Sequence, residues 1–295
     1  MFPSRFRYQA PHSLDEAVSL LHNGGDYVKV LAGGQSLVPM MKLRFASPEM
    51  LVDINNLPGL GYHRADPDGS LHIGALCRHA DLEFSDLLKG TQPTMAAAAP
   101  MIADPLVRNR GTLVGSLCHA DPQGDWASVM MALGGSVIAQ GPGGNRAIPL
   151  AEFVTGPFQN VLSYDEIAIE AVVPKALGVR SGGYLKLERR VGDFATVGVA
   201  VAIETSGDKV VRAGIALTGV GGSTIGATEA AAALTGSPLT ADSIDAAADL
   251  AANAAQPRTD HRGSAEYKRQ MVRVFLRRIL AGGTTAHGVS AERAA

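Results

Sequence analysis

The sequence predicts an α+β protein of two domains. Three observations carry that reading. The chain has 295 residues, long for one ordinary domain. Up to about residue 175 it alternates strand-like and helix-like segments. Beyond that point the composition shifts to three successive strand patterns followed by Ala-rich helices.

The composition excludes several classes. A hydrophobic content of 46% is enough for a sizeable core and rules out a disordered or fibrous chain. The 26 Lys+Arg balance 28 Asp+Glu, a net charge of −2, which gives no basis for bulk binding to nucleic acid or anionic membrane. Cys77 and Cys118 are too few for a disulfide scaffold, or for an iron–sulfur cluster needing four thiolates. No export signal opens the sequence, and its most apolar stretches, such as residues 95–103, fall short of the roughly 18 residues of a membrane span. The expectation is a soluble cytoplasmic protein.

The elements follow in order. Ser13 and Glu16 form a capping box, after which Leu14, Ala17, Val18 and Leu21 keep helical spacing until Asn23-Gly24-Gly25 ends the helix. Residues 27–31 read as a strand, as do 51–54 and Leu71–Gly74. Helices are expected at 81–88 and 94–102. Residues 137–140 and 146–150 flank Gly141-Pro-Gly-Gly144 as a hairpin, and 166–173 is a further strand stopped by Pro174. Then come strands at 182–187, 195–204 and 211–219, and helices at 226–235, Ala241–Ala254 and 264–280. The small, polar tail, 283–295, is expected to be mobile.

Four places carry candidate chemistry. In the first, Lys29, Val30 and Leu31 run into Ala32, Gly33, Gly34, Gln35 and Ser36. Such a loop leaves backbone N–H groups bare and close together, which suits a pyrophosphate; a plain strand-exit turn also fits. Its spacing matches neither G-x-G-x-x-G nor a P-loop. In the second, Ile102 leads to Gly111, Thr112, Val114, Gly115 and Ser116, with Asp121 and Asp125 beyond as acceptors. Cys118 and His119 sit there too, but two adjacent ligand types do not make a zinc site. The third is Lys186, in a strand of otherwise buried-looking residues, facing either solvent or a phosphate. In the fourth, Arg269, Arg273 and Arg277 line one face of the last helix, read as a solvated cationic face.

The first block, extended as Leu37-Val-Pro-Met-Met-Lys-Leu-Arg44, resembles the first flavin motif of the FAD-binding medium subunits of molybdenum hydroxylases. These include the carbon monoxide dehydrogenase flavoprotein and the FAD domain of xanthine dehydrogenase. Ile102-Ala-Asp-Pro-Leu-Val-Arg-Asn-Arg-Gly-Thr-Leu-Val-Gly-Ser116 resembles the second motif, and Gly263-Ser-Ala-Glu-Tyr-Lys268 the C-terminal signature. The resemblance implies a vanillyl-alcohol-oxidase-type (PCMH-type) FAD domain over 1–175, in subdomains of about 1–58 and 59–175. A flavoprotein C-terminal domain over 178–282, with a three-stranded antiparallel sheet and helices, would follow. It implies FAD on residues 29–36 and 111–116, with Ile102 beside them, Asp125 toward the ribose and Lys186 toward the flavin end. It implies no catalytic residue. The partners would be a large molybdenum–pterin subunit and a small subunit with two [2Fe-2S] clusters, in a dimer of heterotrimers.

Two departures stand out. Val114 replaces a glycine of the second motif, and Phe194 stands where some relatives carry tyrosine or tryptophan near the flavin. Two alternatives share the fold: a stand-alone FAD oxidoreductase, and a non-catalytic nucleotide-binding assembly module for which Val114 is the one supporting feature.

Overall fold

The computed structural model describes residues 2–282; the tail expected to be mobile, 283–295, lies outside the described residues. Three sheets organise the chain. The first is small and parallel, in the order Arg7–Gln9, Met50–Asp53, Val28–Leu31. Helix Leu14–Gly24 packs on it through Ala17, Val18 and Leu21. Ser13 Oγ accepts from Glu16 N, and Gly25, at φ +62°, ends the helix. Only a residue free of Cβ adopts that conformation cheaply.

The second sheet is antiparallel and five-stranded: His63–Ala65, Leu71–Gly74, Ile167–Val173, Ser136–Gly141 and Gly144–Pro149. The hairpin turn falls at 141–144, as its glycines predict. The third sheet carries the long strands Val179–Leu187, Val197–Ser206 and Lys209–Thr218, all antiparallel. A two-residue fourth strand, Ile225–Gly226, pairs with Lys209–Thr218, so the expected three-stranded sheet gains a short edge.

Two helical expectations are corrected. The segment 81–88 forms two helices, His79–Glu83 and Asp86–Thr91. Ser85 turns extended between them so that its Oγ can accept from Leu88 N, starting a fresh helix. The segment 94–102 forms Pro93–Ala98 and then a 3-10 turn, Ala99–Met101. Pro100 has no N–H to continue the α-helical ladder.

Helix Asp125–Ala132 lies between the second and third sheets. It is buried nearly all round, including Trp126, Val129 and Met130, as a helix enclosed on every side must be. The third sheet approaches it backbone to backbone: a Cβ on Gly214 would stand 1.8 Å from Ala132 O. Thr218 Oγ1 donates to Gly124 O at 3.0 Å, just before the helix starts. On the other face of the third sheet, helices Ala241–Ala254 and Ala265–Ala281 close a second core through Ala247, Ala251, Val272 and Leu276.

The arginine stripe is not a free solvated face. Arg273 Nε meets Asp249 at 2.7 Å and Arg277 Nε meets Asp245 at 2.5 Å, tying the last helix to Ala241–Ala254. Arg269 Nε reaches Ala255 O at 3.4 Å. These contacts are exposed and add little stability each.

Gly214→Ala should therefore force the third sheet off the central helix, costing about 1–3 kcal/mol of stability by overpacking. Chemical denaturation would measure it; an unchanged midpoint and slope would contradict this close approach.

Candidate functional site

The two glycine blocks, distant in sequence, touch. A Cβ on Gly33 would lie 2.3 Å from Arg110 O and 2.8 Å from Gly111 Cα, so nothing larger than glycine fits without moving backbone. Around this contact the structure builds two walls.

The first wall begins where strand Val28–Leu31 ends. Val30 packs partly on the main core, while Lys29 alternates to the exposed face. Gly34 takes φ +73°, and the chain then enters the short helix Leu37–Lys42. Among the described residues, the N–H groups of Gly33, Gly34, Gln35 and Ser36 donate to no protein acceptor. Successive free N–H groups in a turn of this kind form a concavity suited to an anion. Gln35 closes the loop by donating Nε2 to Gly33 O at 3.2 Å.

The second wall is the start of helix Leu113–His119. Thr112 caps it, Oγ1 accepting from Gly115 N at 3.1 Å. A Cβ on Gly115 would stand 2.7 Å from that same oxygen, which explains the glycine three residues after the threonine. Ser116 is half-buried. The side chains of Val114 and Ile102 are buried in the main core. Val114 therefore adds core packing, and the sequence feature that favoured a flavin-free module loses its force.

Four residues that the sequence reading missed hold the walls together. Asn55 Nδ2 donates to Ala32 O at 2.8 Å. Arg78 donates one nitrogen to Asn55 Oδ1 and another to Arg110 O, each at 2.7 Å. Asp53 orients Asn55 by accepting from its N–H at 2.9 Å, and Tyr8 OH donates to Asp53 at 2.6 Å. Burial works against the Asp53 charge, but hydrogen bonds from Tyr8 and Asn55 outweigh it and hold the carboxyl below its ordinary range. The available signal was polar Asp53 and Asn55 placed directly after an apolar strand.

His79 supports the second wall from behind. Its N–H donates to Gly111 O at 2.9 Å, and its ring edge lies where a Gly111 Cβ would come within 2.7 Å. Trp126 Nε1 donates to His79 Nδ1 at 2.9 Å. Burial, and then the charges of Arg108 and Arg78, push the imidazole down to about 4, so it is neutral at pH 7. Arg108 is the fourth residue. It pairs with Glu83 at 2.7 Å and donates to Ile102 O and Ala103 O at 3.0 and 2.9 Å.

Asp125 and Lys186 require a correction. The Lys186 side chain is wholly buried, not solvent-facing. Its ammonium donates to Met101 O at 2.6 Å and lies 3.2 Å from both Asp125 Oδ2 and Glu188 Oε2. The other Asp125 oxygen accepts from Tyr184 OH at 2.6 Å. Burial raises the Asp125 carboxyl, opposed by Lys186 and Tyr184. Both groups are thus engaged inside the protein, joining the central helix to the third sheet. A direct contact with ribose or flavin would have to displace one of these bonds.

The remaining sulfur and imidazole groups offer little chemistry. Burial pushes the Cys77 and Cys118 thiols up to about 12, which keeps them protonated. His119 packs against Phe158, ring centroids 5.2 Å apart. Among the described residues no group of three or more His, Cys, Asp or Glu is placed to hold a metal ion. No helix there is long and apolar enough to cross a membrane.

A paired-loop backbone cradle with neutral, buried surroundings defines a dinucleotide-binding protein whose redox chemistry would come from its cofactor. The chain matches the FAD binding domain in molybdopterin dehydrogenase over residues 4–176, and the CO dehydrogenase flavoprotein C-terminal domain over 183–282. It is 40% identical over 280 residues to the carbon monoxide dehydrogenase medium chain of Hydrogenophaga pseudoflava, covering 95% of this chain and 97% of that one. It is 39% identical over 283 residues to the 6-hydroxypseudooxynicotine dehydrogenase complex subunit alpha of Paenarthrobacter nicotinovorans, covering 95% of each. The solved carbon monoxide dehydrogenase from Hydrogenophaga pseudoflava superposes with a TM-score of 0.90 at 42% identity, over 95% of this chain and 98% of that one. Quinoline 2-oxidoreductase from Pseudomonas putida 86 gives 0.87 at 29%, over 96% and 98%. The chain belongs to the FAD-binding medium-subunit family of the molybdenum hydroxylases, and it is a flavoprotein subunit of an oxidoreductase.

The buried histidine gives the fold a pH dependence. His79 titrates near 6.5 when unfolded and near 4 when folded, so between these values the unfolded chain binds more protons. Stability is complete above about pH 6.5 and falls as pH drops toward 4, by up to about 3 kcal/mol. Thermal unfolding across pH 4–7 should show this loss, and His79→Gln should flatten the slope. Equal slopes in both proteins would count against the assignment.

Proposed function

We propose that this chain is the electron-transfer subunit of a multi-subunit molybdenum hydroxylase. Its small partner would carry two [2Fe-2S] clusters and its large partner a molybdenum–pterin centre, assembled as a dimer of heterotrimers. The observation that carries the reading is the backbone contact of Gly33 with Arg110 and Gly111, which makes one cradle of two glycine blocks. The free N–H groups of Gly33, Gly34, Gln35 and Ser36 fit the oxygens of a pyrophosphate. The start of helix Leu113–His119, capped by Thr112, forms the opposite wall.

When bound, FAD supplies the redox chemistry, taking electrons from the partner's clusters and passing them to an external acceptor. The chain's own groups bind, orient and enclose. Asn55 and Arg78 fix the separation of the walls through Ala32 O and Arg110 O. His79 and Trp126 place an uncharged support under Gly111. We assign no general acid or base. The substrate class is chosen by the large partner; the names of relatives point to carbon monoxide, N-heterocycles and aldehydes as candidate classes.

The purified chain should take up FAD on titration without oxidising any of those substrates by itself. Gly33→Ala, which drives a methyl into Arg110 O, should weaken FAD binding by at least about tenfold, or 1.4 kcal/mol. Wild-type affinity in that variant would refute the cradle. Turnover by the solitary chain would refute the multi-subunit reading in favour of a stand-alone oxidoreductase.

A further inference from the structure

The loop Gly192-Asp193-Phe194 leaves the third sheet and lies against the approach to the second glycine block. Gly192, at φ +84°, packs so closely that a Cβ would stand 2.8 Å from Ala103 O. Ala103 itself sits at φ +47°, a conformation unfavourable to a residue with a Cβ, and Arg108 holds its carbonyl. From Glu83 through Arg108 and Ala103 to Gly192, one continuous set of contacts fixes the base of the loop.

The tip is fixed from the other side. Both main-chain polar groups of Phe194 are tied: its N–H donates to Asp193 Oδ1 at 2.8 Å, and its carbonyl accepts from Arg262 Nη1 at 3.0 Å. Arg262 also lies 3.5 Å from Asp193 Oδ1, and Arg189 pairs with Asp193 at 3.2 Å. The Phe194 N–H, ahead of the arginines, holds the Asp193 carboxyl below its ordinary value. The Arg262 side chain is only 12% exposed. Yet the ring these contacts immobilise is 52% exposed. Burial cannot be what fixes an aromatic ring left half in water; the polar strap does so, and it presents an apolar face beside Ile102 and Ala103.

We propose that Arg262 is a positioning residue, holding Phe194 as a wall of the compartment that takes the flavin ring. This rests on the functional reading above. It also gives the turn before the last helix a task. Asp260 accepts from Arg262 N at 2.8 Å and is clamped by Lys268 at 2.7 Å, and Asp260 and Gly263 bridge. The turn is thereby rigid enough to aim Arg262 back across the third sheet.

The test compares Arg262→Gln, Arg262→Lys and Phe194→Leu in the full chain. In apo protein, hydrogen exchange at residues 192–194 should rise in Arg262→Gln, with far-UV circular dichroism and unfolding midpoint retained. With FAD, Arg262→Gln and Phe194→Leu should each weaken binding by about 3- to 10-fold, the worth of one aromatic face. Each should change the visible circular dichroism of the bound flavin in the same sense. The double variant should add little to either single one. Arg262→Lys, which keeps a cation for Phe194 O and Asp193, should restore most of both signals. If Arg262→Gln leaves exchange, affinity and dichroism at wild-type values, the positioning role falls while FAD binding stands. If Phe194→Leu changes them and Arg262→Gln does not, the strap is irrelevant to the wall. If wild type binds no FAD, the functional reading falls and this proposal with it.

Discussion

The structure depends on one close approach: the backbone at Gly33 resting on the backbone at Arg110 and Gly111. Neither loop is unusual alone. A strand-exit turn with bare N–H groups is common, and so is a Thr-capped helix start. Bringing them within van der Waals contact turns two ordinary turns into one concave surface with amide protons concentrated on it. That arrangement needs glycine at the contact and something to stop the two loops drifting apart. Asn55 and Arg78 provide the second requirement by hydrogen-bonding a carbonyl on each side. Because one of these donors is a buried guanidinium, the tie is stronger than a neutral hydrogen bond.

The third sheet is joined to this site by a different kind of contact. Gly214 admits the central helix, and Tyr184, Lys186, Asp125 and Thr218 lock its N-terminal end. Gly198 makes room for the Tyr184 hydroxyl, since a Cβ there would come within 2.6 Å of it. A buried lysine–aspartate pair contributes little net stability against its desolvation cost, but breaking either partner is costly. Its effect is to specify a single docking geometry, which a flavin compartment shared between the two halves of the chain requires.

The chemistry around the cradle is consistent with a protein that holds a cofactor and leaves reactivity to it. Both thiols are kept protonated, and His79 is kept neutral and hydrogen-bonded. The ionisable groups nearest the walls have structural partners. A scarcity of cysteine, which first excluded a cluster-bearing chain, becomes a division of labour once the chain is placed among medium subunits of molybdenum hydroxylases.

Much of this was legible in the sequence because it is local. Periodicity marked most strands and helices, Ser13 and Gly25 marked the ends of the first helix, and the two glycine blocks announced themselves by composition. The Ser85 break, the 3-10 turn at Pro100 and the fourth strand of the third sheet were lost, because short caps and edges compete on differences of about 1 kcal/mol. Asn55, Arg78, His79 and Arg108 were also missed, for each works on a residue far away in the chain or on a backbone carbonyl that no pattern labels. Asp125 and Lys186 were found but misassigned, since the sequence cannot reveal that each would find the other. By itself, then, the sequence determined which segments could leave bare backbone N–H groups to meet an anion. Only the tertiary structure decided that the two segments face one another and which buried polar groups are used up holding them there. Glycine in a turn is a local property, whereas a 2.3 Å approach between backbones and the pairing of a buried charge exist only once the chain has folded.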